Sequence, residues 1–507
     1  MLNQLLLAEP SPGWINPNNT PHNNIIATYS GWVHMYAVFI TTGMILAVFA
    51  SYIRLKTKNV PVEPLIWAVF IIIPFSLFGA SFFGKYNEDP SQPLIGYDGG
   101  APFWSLFAFW KAGMSIHGGV LFGVVVGIIV FAFVARKSRV SMWVYIDCIV
   151  PNILLGQVLG RWGNFFNHEL LGNPVSYESL KWLPAFIRDN CFQWVGDHPE
   201  LIPGTGNIQW RVPIFLYESF WNFILWVILT FVVPNFSKVL GPKPWKKDPQ
   251  KYPFDFKYSV RHFFNRKIEE PDKMTWKEVW YKAFYYNNPT QKQLEQIKPK
   301  KFKETSSPTI NRLKKWWVND AKELTRLNNP EGYWIIRSGV QAGLYFFGWN
   351  LIRFVLETQR ENGADLFVMN NRPLDYAMLW MIAIFGLLME AYAQWFAPLK
   401  LRKNGHLYEK EYVDYTNLAN WKLEYYLQYQ INYNQISQQQ ELETLIKTKV
   451  MTYLGYENKS FEEYFSLTDF KVFSHHDHIT SFTFKIMTRN QPSSIFSDEI
   501  SCEVALE

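Results

Sequence analysis

The chain has 507 residues, 49% of them hydrophobic and 18% aromatic, with only 18% charged. A mean hydropathy of -0.09 is too low for a protein lying wholly in a bilayer and describes a mosaic of apolar runs and polar segments rather than one soluble core. Three widely separated cysteines (Cys148, Cys191, Cys502) exclude a disulfide framework and a C-x-x-C metal pair, and the net charge of +6 is modest but unevenly placed.

Residues 1–30 lack a basic n-region and an A-x-A cleavage site, so they read as an irregular external segment rather than a removable signal. Residues 31–53 form the first predicted span, long enough for the roughly 20 residues a bilayer needs. That span ends in Arg54, Lys56 and Lys58, which belong on the cytoplasmic side, so the N-terminus lies outside. Residues 60–83 return outward to a comparatively acidic, turn-rich loop. Residues 111–135 go back in and end in Arg136, Lys137 and Arg139, and 140–166 come out again. An external head segment over 167–211 precedes a fifth span at 213–233. The basic stretch 235–333 fits the cytoplasm, 334–356 goes out, and 373–396 returns, leaving 400–507 inside.

The expected fold is therefore an all-α polytopic membrane protein with seven transmembrane helices, N-terminus outside and C-terminus cytoplasmic. Its parts are an external segment (1–30), a core in two pieces (31–233 and 334–397), a basic cytoplasmic insert (234–333) and a cytoplasmic extension (398–507).

Residues 160–172, GRWGNFFNHELLG, close the fourth span with polar groups. If the helix continues, Arg161, Asn164 and His168 fall at i, i+3 and i+7 and share one face. Burying an unpaired guanidinium in lipid costs roughly 2.5 kcal/mol or more, so such an arginine serves a ligand or an ion path, or else it snorkels to the interface. Composition alone leaves both readings open.

The order of the letters resembles the signature G-R-x-G-N-F-x-N-x-E-x-x-G of bacterial prolipoprotein diacylglyceryl transferases, with Gly160, Arg161, Gly163, Asn164, Phe165, Asn167, Glu169 and Gly172 at its fixed positions. The resemblance implies transfer of diacylglycerol from phosphatidylglycerol to the lipobox cysteine thiol of a prolipoprotein, at the outer face of a bacterial cytoplasmic membrane. Its partners would be phosphatidylglycerol, prolipoprotein signal peptides and the lipid bilayer, with no nucleic acid, metal or cofactor.

Three more patches carry the resemblance. MSIHGG, residues 114–119, is similar to the family's M-S-F-H-G-G, which implies that His117 is a base or hydrogen-bond partner; a packed or interfacial histidine is the plain alternative. A base is needed because a thiol has an unperturbed pKa of about 8.5 and reacts as its thiolate. GWNLIRFVLETQR, residues 348–360, is similar to G-L-x-R-F-x-x-E-x-x-R and implies phosphate binding by Arg353 together with Arg161, with Glu357 orienting them. By itself, Arg353 and Glu357 at i, i+4 also read as a self-compensating ion pair. Tyr36 stands where the family has a tyrosine after Arg-Trp, but His34 and Met35 precede it here, and an ordinary span aromatic fits as well. RVPIFLYE, residues 211–218, resembles R-H-P-S-Q-L-Y-E but has Val212, Ile214 and Phe215 for the three polar groups, and Ser81 stands where an arginine is common.

The expected catalytic group is thus His117, Arg161, Arg353 and Tyr36. The expected substrate contacts are Arg161, Asn164, Asn167, Glu169, Gly172, Arg353 and Glu357. Gly119, Gly123 and Gly127 form a helix-packing stripe. The insert, with Trp and Tyr interleaved with Lys, could lie on anionic lipid, fold as a small module or bind a partner; a solvated basic segment is the default. The extension reads as a helical run over 427–449 with strands near 470–473 and 481–487, its His475, His476 and His478 solvated rather than metal-bound. The alternative function is a catalytically degenerate lipid binder or a transporter; the latter requires repeat symmetry, which the sequence lacks.

Overall fold

The computed structural model describes residues 28–29, 33–58, 60–86, 106–109, 115–167, 170–195, 207–265, 268, 270, 272–285, 287, 289, 293, 296–297, 307–317, 319–360, 371–410, 420–431, 439–454, 460–475, 478–488 and 499–505. They are mostly helical. Helices α1 (Met35–Thr57) and α2 (Glu63–Tyr86) are followed by α3 (Ile116–Ser138). The next expected span is broken: α4 (Met142–Ile149) meets α5 (Ile153–Phe166) across a 3-10 turn containing Pro151, whose ring and missing N–H interrupt the α ladder.

Helix α6 (Ile214–Val227) runs through a π turn at Ile228–Val232 into α7 (Val233–Leu240). The amphipathic α8 (Phe256–Phe264) lies in the insert. Helix α9 (Val340–Glu357) precedes α10 (Arg372–Ala391), which ends in a second π turn at Tyr392–Phe396. These two of the three π turns among the described residues sit just before a proline, Pro234 and Pro398, where a wide turn accommodates a residue that cannot donate; the third is Tyr281–Tyr285 in the insert.

Close backbone approach pairs the helices. A Cβ on Gly43 of α1 would lie 2.8 Å from the Gly156 carbonyl oxygen of α5. A Cβ on Gly118 of α3 would lie 2.5 Å from the Gly79 oxygen of α2, and one on Gly343 of α9 would lie 2.7 Å from the Gly386 oxygen of α10. Between apolar helices in lipid, packing rather than the hydrophobic effect drives association, so small residues sit at the contacts. The Gly119–Gly123–Gly127 stripe does pack on α2, against Ala80, Ser76 and Ile72.

Among the described residues, five helical segments are long and apolar enough to cross a membrane: Met35–Thr57, Glu63–Lys85, Met142–Phe166, Ile214–Lys247 and Arg372–Lys400. Helix α3 spans 23 residues, of which the stretch with described side chains, Gly118–Phe133, is apolar. The expected span at 334–356 starts only at Val340, because residues 334–337 are not helical and Gly339 turns the chain with φ +101°. Asp147 of α4 caps the new helix, accepting from Gly339 N at 2.8 Å and Ala342 N at 3.0 Å. Helix α9 buries Gln341, Asn350, Arg353 and Glu357, so it is the polar axis of the bundle rather than a lipid-facing span.

Outside the helical membrane part, the C-terminal extension carries strands. Strands β3 (Phe465–His475), β4 (His478–Thr488) and β5 (Glu499–Ala505) form an antiparallel sheet in the order β3-β4-β5. (Strands β1, Phe192–Val195, and β2, Asn207–Trp210, pair in the head segment.) The expected strands at 470–473 and 481–487 fall within β3 and β4. Helices α11 (Asn420–Gln430) and α12 (Gln439–Leu454) pack Leu423, Leu427, Leu442, Ile446 and Val450 on Phe482, Phe484 and Val504. The expected single helical run is therefore two helices. His476 and the side chains of His475 and His478 lie outside the described residues.

The insert is more than a solvated basic segment. Its described residues build an aromatic core of Tyr252, Val279, Trp280, Phe284 and Tyr333, with Trp245 and Phe254 against it. Lys410 locks the start of the extension to that core, donating to the carbonyls of Phe284 (2.9 Å), Asn287 (2.5 Å) and Asn328 (2.5 Å). Beside it, Glu409 accepts from Arg402 (2.5 Å), Arg337 (3.4 Å) and Ser338 N (2.8 Å).

Candidate active site

Three helices bring charge into the bundle. Helix α5 contributes Arg161 and Asn164, α6 contributes Glu218, and α9 contributes Arg353 and Glu357, all buried. Glu218 is the joint. One of its carboxylate oxygens meets Arg161 Nη2 at 2.8 Å and the other meets Arg353 Nη1 at 2.7 Å. Arg353 Nη2 continues to Glu357 at 3.3 Å, and Glu357 pairs with Arg360 at 3.2 Å. The result is an alternating ladder, Arg161–Glu218–Arg353–Glu357–Arg360, with three guanidiniums against two carboxylates.

The ends of the ladder are fixed. Arg161 Nη1 donates to Asn164 Oδ1 at 3.2 Å, the i, i+3 relation expected from the sequence. Arg372, in the first turn of α10, donates to the main-chain oxygens of Glu357 (3.2 Å) and Arg360 (2.6 Å) and to Tyr376 Oη (2.7 Å). A cation at the last carbonyls of α9 also suits the helix dipole.

Two donors in the ladder are left over. The Nε–H groups of Arg161 and Arg353 are buried without a hydrogen-bond partner among the described residues. A charged donor without an acceptor is expensive, so such a pair is a ready seat for an oxyanion. One helical turn deeper, each helix carries an amide with unmet capacity among the described residues: Gln157 Oε1 four residues before Arg161, both polar atoms of Asn222 four after Glu218, and Asn350 Oδ1 three before Arg353.

The other predicted residues distribute unevenly. Tyr36 lies against Gly163, where a Cβ would come 3.0 Å from its ring, and within electrostatic reach of Arg161. Helix α5 stops at Phe166 with Asn167 as its C-cap; His168 and Glu169 lie outside the described residues. Gly172 serves close packing: a Cβ there would meet Ile214 at 2.9 Å and the Gln359 oxygen at 3.0 Å. His117 is the second residue of α3, whose start is tied to α2 by Ser115 N donating to Ala80 O at 2.9 Å; its side chain lies outside the described residues.

Two departures from the family pattern acquire reasons. Phe215 stacks on Phe165 with ring centroids 4.9 Å apart, in a head core with Leu180, Leu183 and Ile187. Ser81 receives Lys85 Nζ at 2.7 Å, so a buried cation reaches position 81 from one turn away, and Lys85 also donates to Ala108 O at 2.7 Å. The three cysteines are buried, and burial pushes the Cys191 thiol up to about 12, which leaves it inert as a nucleophile. Glu218 is the residue the sequence reading missed as a site. The signal was there, as the last letter of the fourth patch and a lone carboxylate in an apolar helix.

Residues 25–247 match the family model described as prolipoprotein diacylglyceryl transferase. A phosphatidylglycerol–prolipoprotein diacylglyceryl transferase of Malacoplasma penetrans is 37% identical over 220 residues, 40% of this chain and 57% of that protein. Its counterpart in Mycoplasmoides gallisepticum is 34% identical over 232 residues, 41% of this chain and 60% of that one. One from Streptococcus pneumoniae is 31% identical over 193 residues, 38% and 63%. The chain spans less than two thirds of the length of these relatives. The family-model match carries Arg161 and Glu218 but ends before α9, so only the fold brings Arg353, Glu357 and Arg360 to them. Over residues 25–247 this chain is similar to the prolipoprotein diacylglyceryl transferases.

Proposed function

We propose that this chain transfers the diacylglyceryl group of phosphatidylglycerol to the lipobox cysteine of prolipoproteins, the first step of lipoprotein maturation, in a bacterial cytoplasmic membrane. One observation carries the reading beyond the family likeness: the two buried Nε–H donors of Arg161 and Arg353 that flank one carboxylate and lack an acceptor among the described residues. A phosphodiester brings the missing acceptors and one negative charge to a ladder with one positive charge in excess. Guanidinium forks suit its oxygens and keep their charge when buried.

The chemistry follows from that seat. The cysteine thiol gives its proton to a base, for which His117 is the candidate, and the sulfur attacks the glycerol carbon that bears the phosphate. The C–S bond forms as the C–O bond breaks, and glycerol phosphate leaves with the electron pair. Arg161 and Arg353 hold the phosphate and stabilise the charge that grows on its departing oxygen. Glu218 and Glu357 keep two like charges side by side, Asn164 orients Arg161, Asn167 and Glu169 are the further candidates for orienting the arginines, and Tyr36 is a candidate for the catalytic group.

The topology belongs to the same reading. Seven spans, with the N-terminus outside, put the ladder toward the outer leaflet and the insert and the 398–507 extension in the cytoplasm, in accord with the basic clusters after Ile53 and Val134.

The test uses the full chain, phosphatidylglycerol and a peptide with one lipobox cysteine, read by mass spectrometry. A diacylglyceryl thioether that is lost in Arg161→Ala and Arg353→Ala is the expected result. No adduct from the wild-type protein, with lipid binding and fold intact, would reduce the chain to a lipid binder.

A further inference from the structure

Helix α8 in the insert presents an apolar face that nothing in the described fold covers. Phe256, Val260, Phe263 and Phe264, at i, i+4, i+7 and i+8, are 70%, 40%, 78% and 82% exposed. The helix is not loose. Asp255 caps it by accepting from Tyr258 N at 2.9 Å, Tyr258 is buried on the other face, and Ser259 Oγ accepts from Trp276 N at 2.9 Å. The fold thus holds the helix in place and turns four large apolar side chains outward. Such a contiguous patch marks an interaction surface.

Two facts identify the occupant. The patch hangs directly from a membrane-spanning segment: Phe254, two residues before the helix, stacks on Trp245 at 4.3 Å, and Trp245 follows the end of α7 by five residues. Lys238, in the last turn of α7, lies 6.0 Å over the Trp280 ring of the same core. The apolar surface of α7 is itself exposed at Phe236, Val239 and Leu240, so the lipid-facing side of the span leads into the insert. The second fact is charge. Between residues 238 and 262 there are seven Lys or Arg against two Asp and no Glu, and Lys257, in the first turn of α8, is exposed.

We infer that α8 is an interfacial anchor that lies in the plane of an anionic leaflet, its phenylalanines in the acyl boundary and the surrounding lysines on lipid headgroups. Aromatic and basic groups so disposed on a short helix bind a bilayer surface by area and charge together. The inference rests on the membrane-spanning reading of α6 and α7. On that reading the insert seats the cytoplasmic module against the bilayer at a fixed height.

The test uses the full chain in vesicles of phosphatidylcholine and phosphatidylglycerol. An environment-sensitive fluorophore is attached at Phe263→Cys, at Phe256→Cys and, as a reference within the span, at Phe231→Cys; the native cysteines are buried. Lipids spin-labelled near the headgroup should quench the probes at 263 and 256 by about twofold or more, with a blue-shifted emission, as a helix at the acyl boundary requires. A water-like emission at 263 without lipid quenching, while the probe at 231 is quenched, overturns the anchor. A shielded probe at 263 that no lipid label quenches assigns the face to protein and overturns it too. Loss of quenching at 231 as well would instead remove the membrane-spanning reading beneath it.

Discussion

Two buried charge networks join distant parts of this chain, and they differ in where their unmet capacity lies. In the clasp around Glu409 and Lys410, both carboxylate oxygens accept, and the ammonium spends its three hydrogens on three carbonyls. In the ladder, the ion pairs are as short, but two guanidinium Nε–H groups have no acceptor among the described residues, and three amides one turn deeper have unmet capacity. The clasp spends its carboxylate and ammonium capacity on protein groups, whereas the ladder sets two unmet donors on either side of one carboxylate with amides of unmet capacity beside them, an arrangement suited to an arriving acceptor. The difference separates a joint from a site where charge alone does not.

The comparison breaks most sharply at the arginines. Arg353→Ala should cut diacylglyceryl transfer by about 10²–10³-fold or more, the usual loss when a charge-stabilising donor is removed. Arg353→Lys should rescue poorly, since one ammonium cannot replace the fork that reaches Glu218 and Glu357 together. Transfer by Arg353→Lys at the wild-type rate would remove the phosphate-seat argument.

Glu218→Gln probes stability instead. It leaves Arg161 and Arg353 buried without their shared counter-charge, so thermal unfolding in detergent should show a loss of about 3–5 kcal/mol. An unchanged melting temperature would mean that the ladder is not held by this carboxylate.

The clasp should respond with the opposite profile. Lys410→Met strands three main-chain carbonyls and should destabilise the junction between insert and extension by about 1–3 kcal/mol while transfer persists. Proteolysis at that junction, set against transfer by the same sample, reads both. The pH dependence belongs here as well. Burial pushes the Glu409 carboxyl up, but Arg402, Arg337 and the Ser338 N–H outweigh it and hold the group below its ordinary 4.5. A depressed carboxyl contributes stability that is complete above 4.5 and is lost as pH falls through the folded value. Protease resistance of the junction should therefore be flat at neutral pH and fall in acid, and Glu409→Gln should abolish that fall.

The smallest expected effect sharpens the comparison from within the ladder. Asn222→Leu removes an amide with no partner among the described residues, so stability should stay within about 1 kcal/mol. Transfer should nonetheless fall by about tenfold if the amide layer faces the substrate or its waters, as one lost hydrogen bond of roughly 1.4 kcal/mol implies. Unchanged transfer would confine the site to the charged layer.

Much of this was legible from residue order. Apolar runs of membrane length specify helices because a chain in lipid must satisfy its backbone internally, and among the described residues five of the expected spans stand by length and composition. The motif at 160–172 located Arg161 and Asn164 on one face, and the patch at 348–360 located Arg353 and Glu357 one turn apart. The strands expected near 470–473 and 481–487 fall within two of the C-terminal strands.

What residue order could not decide is where separate segments meet. Glu218 binds Arg353 across 135 positions of sequence, and neither residue's neighbours record the other. The same holds for α9, whose polar face is tolerable only at the centre of the bundle, and for the end of α5 at Phe166, where the head segment rather than helix propensity takes over the chain. Periodicity and propensity are local, whereas buried charge must find its partner in three dimensions. The sequence by itself therefore determined the helices and the reactive letters; the tertiary structure decided that those letters form one ladder around Glu218.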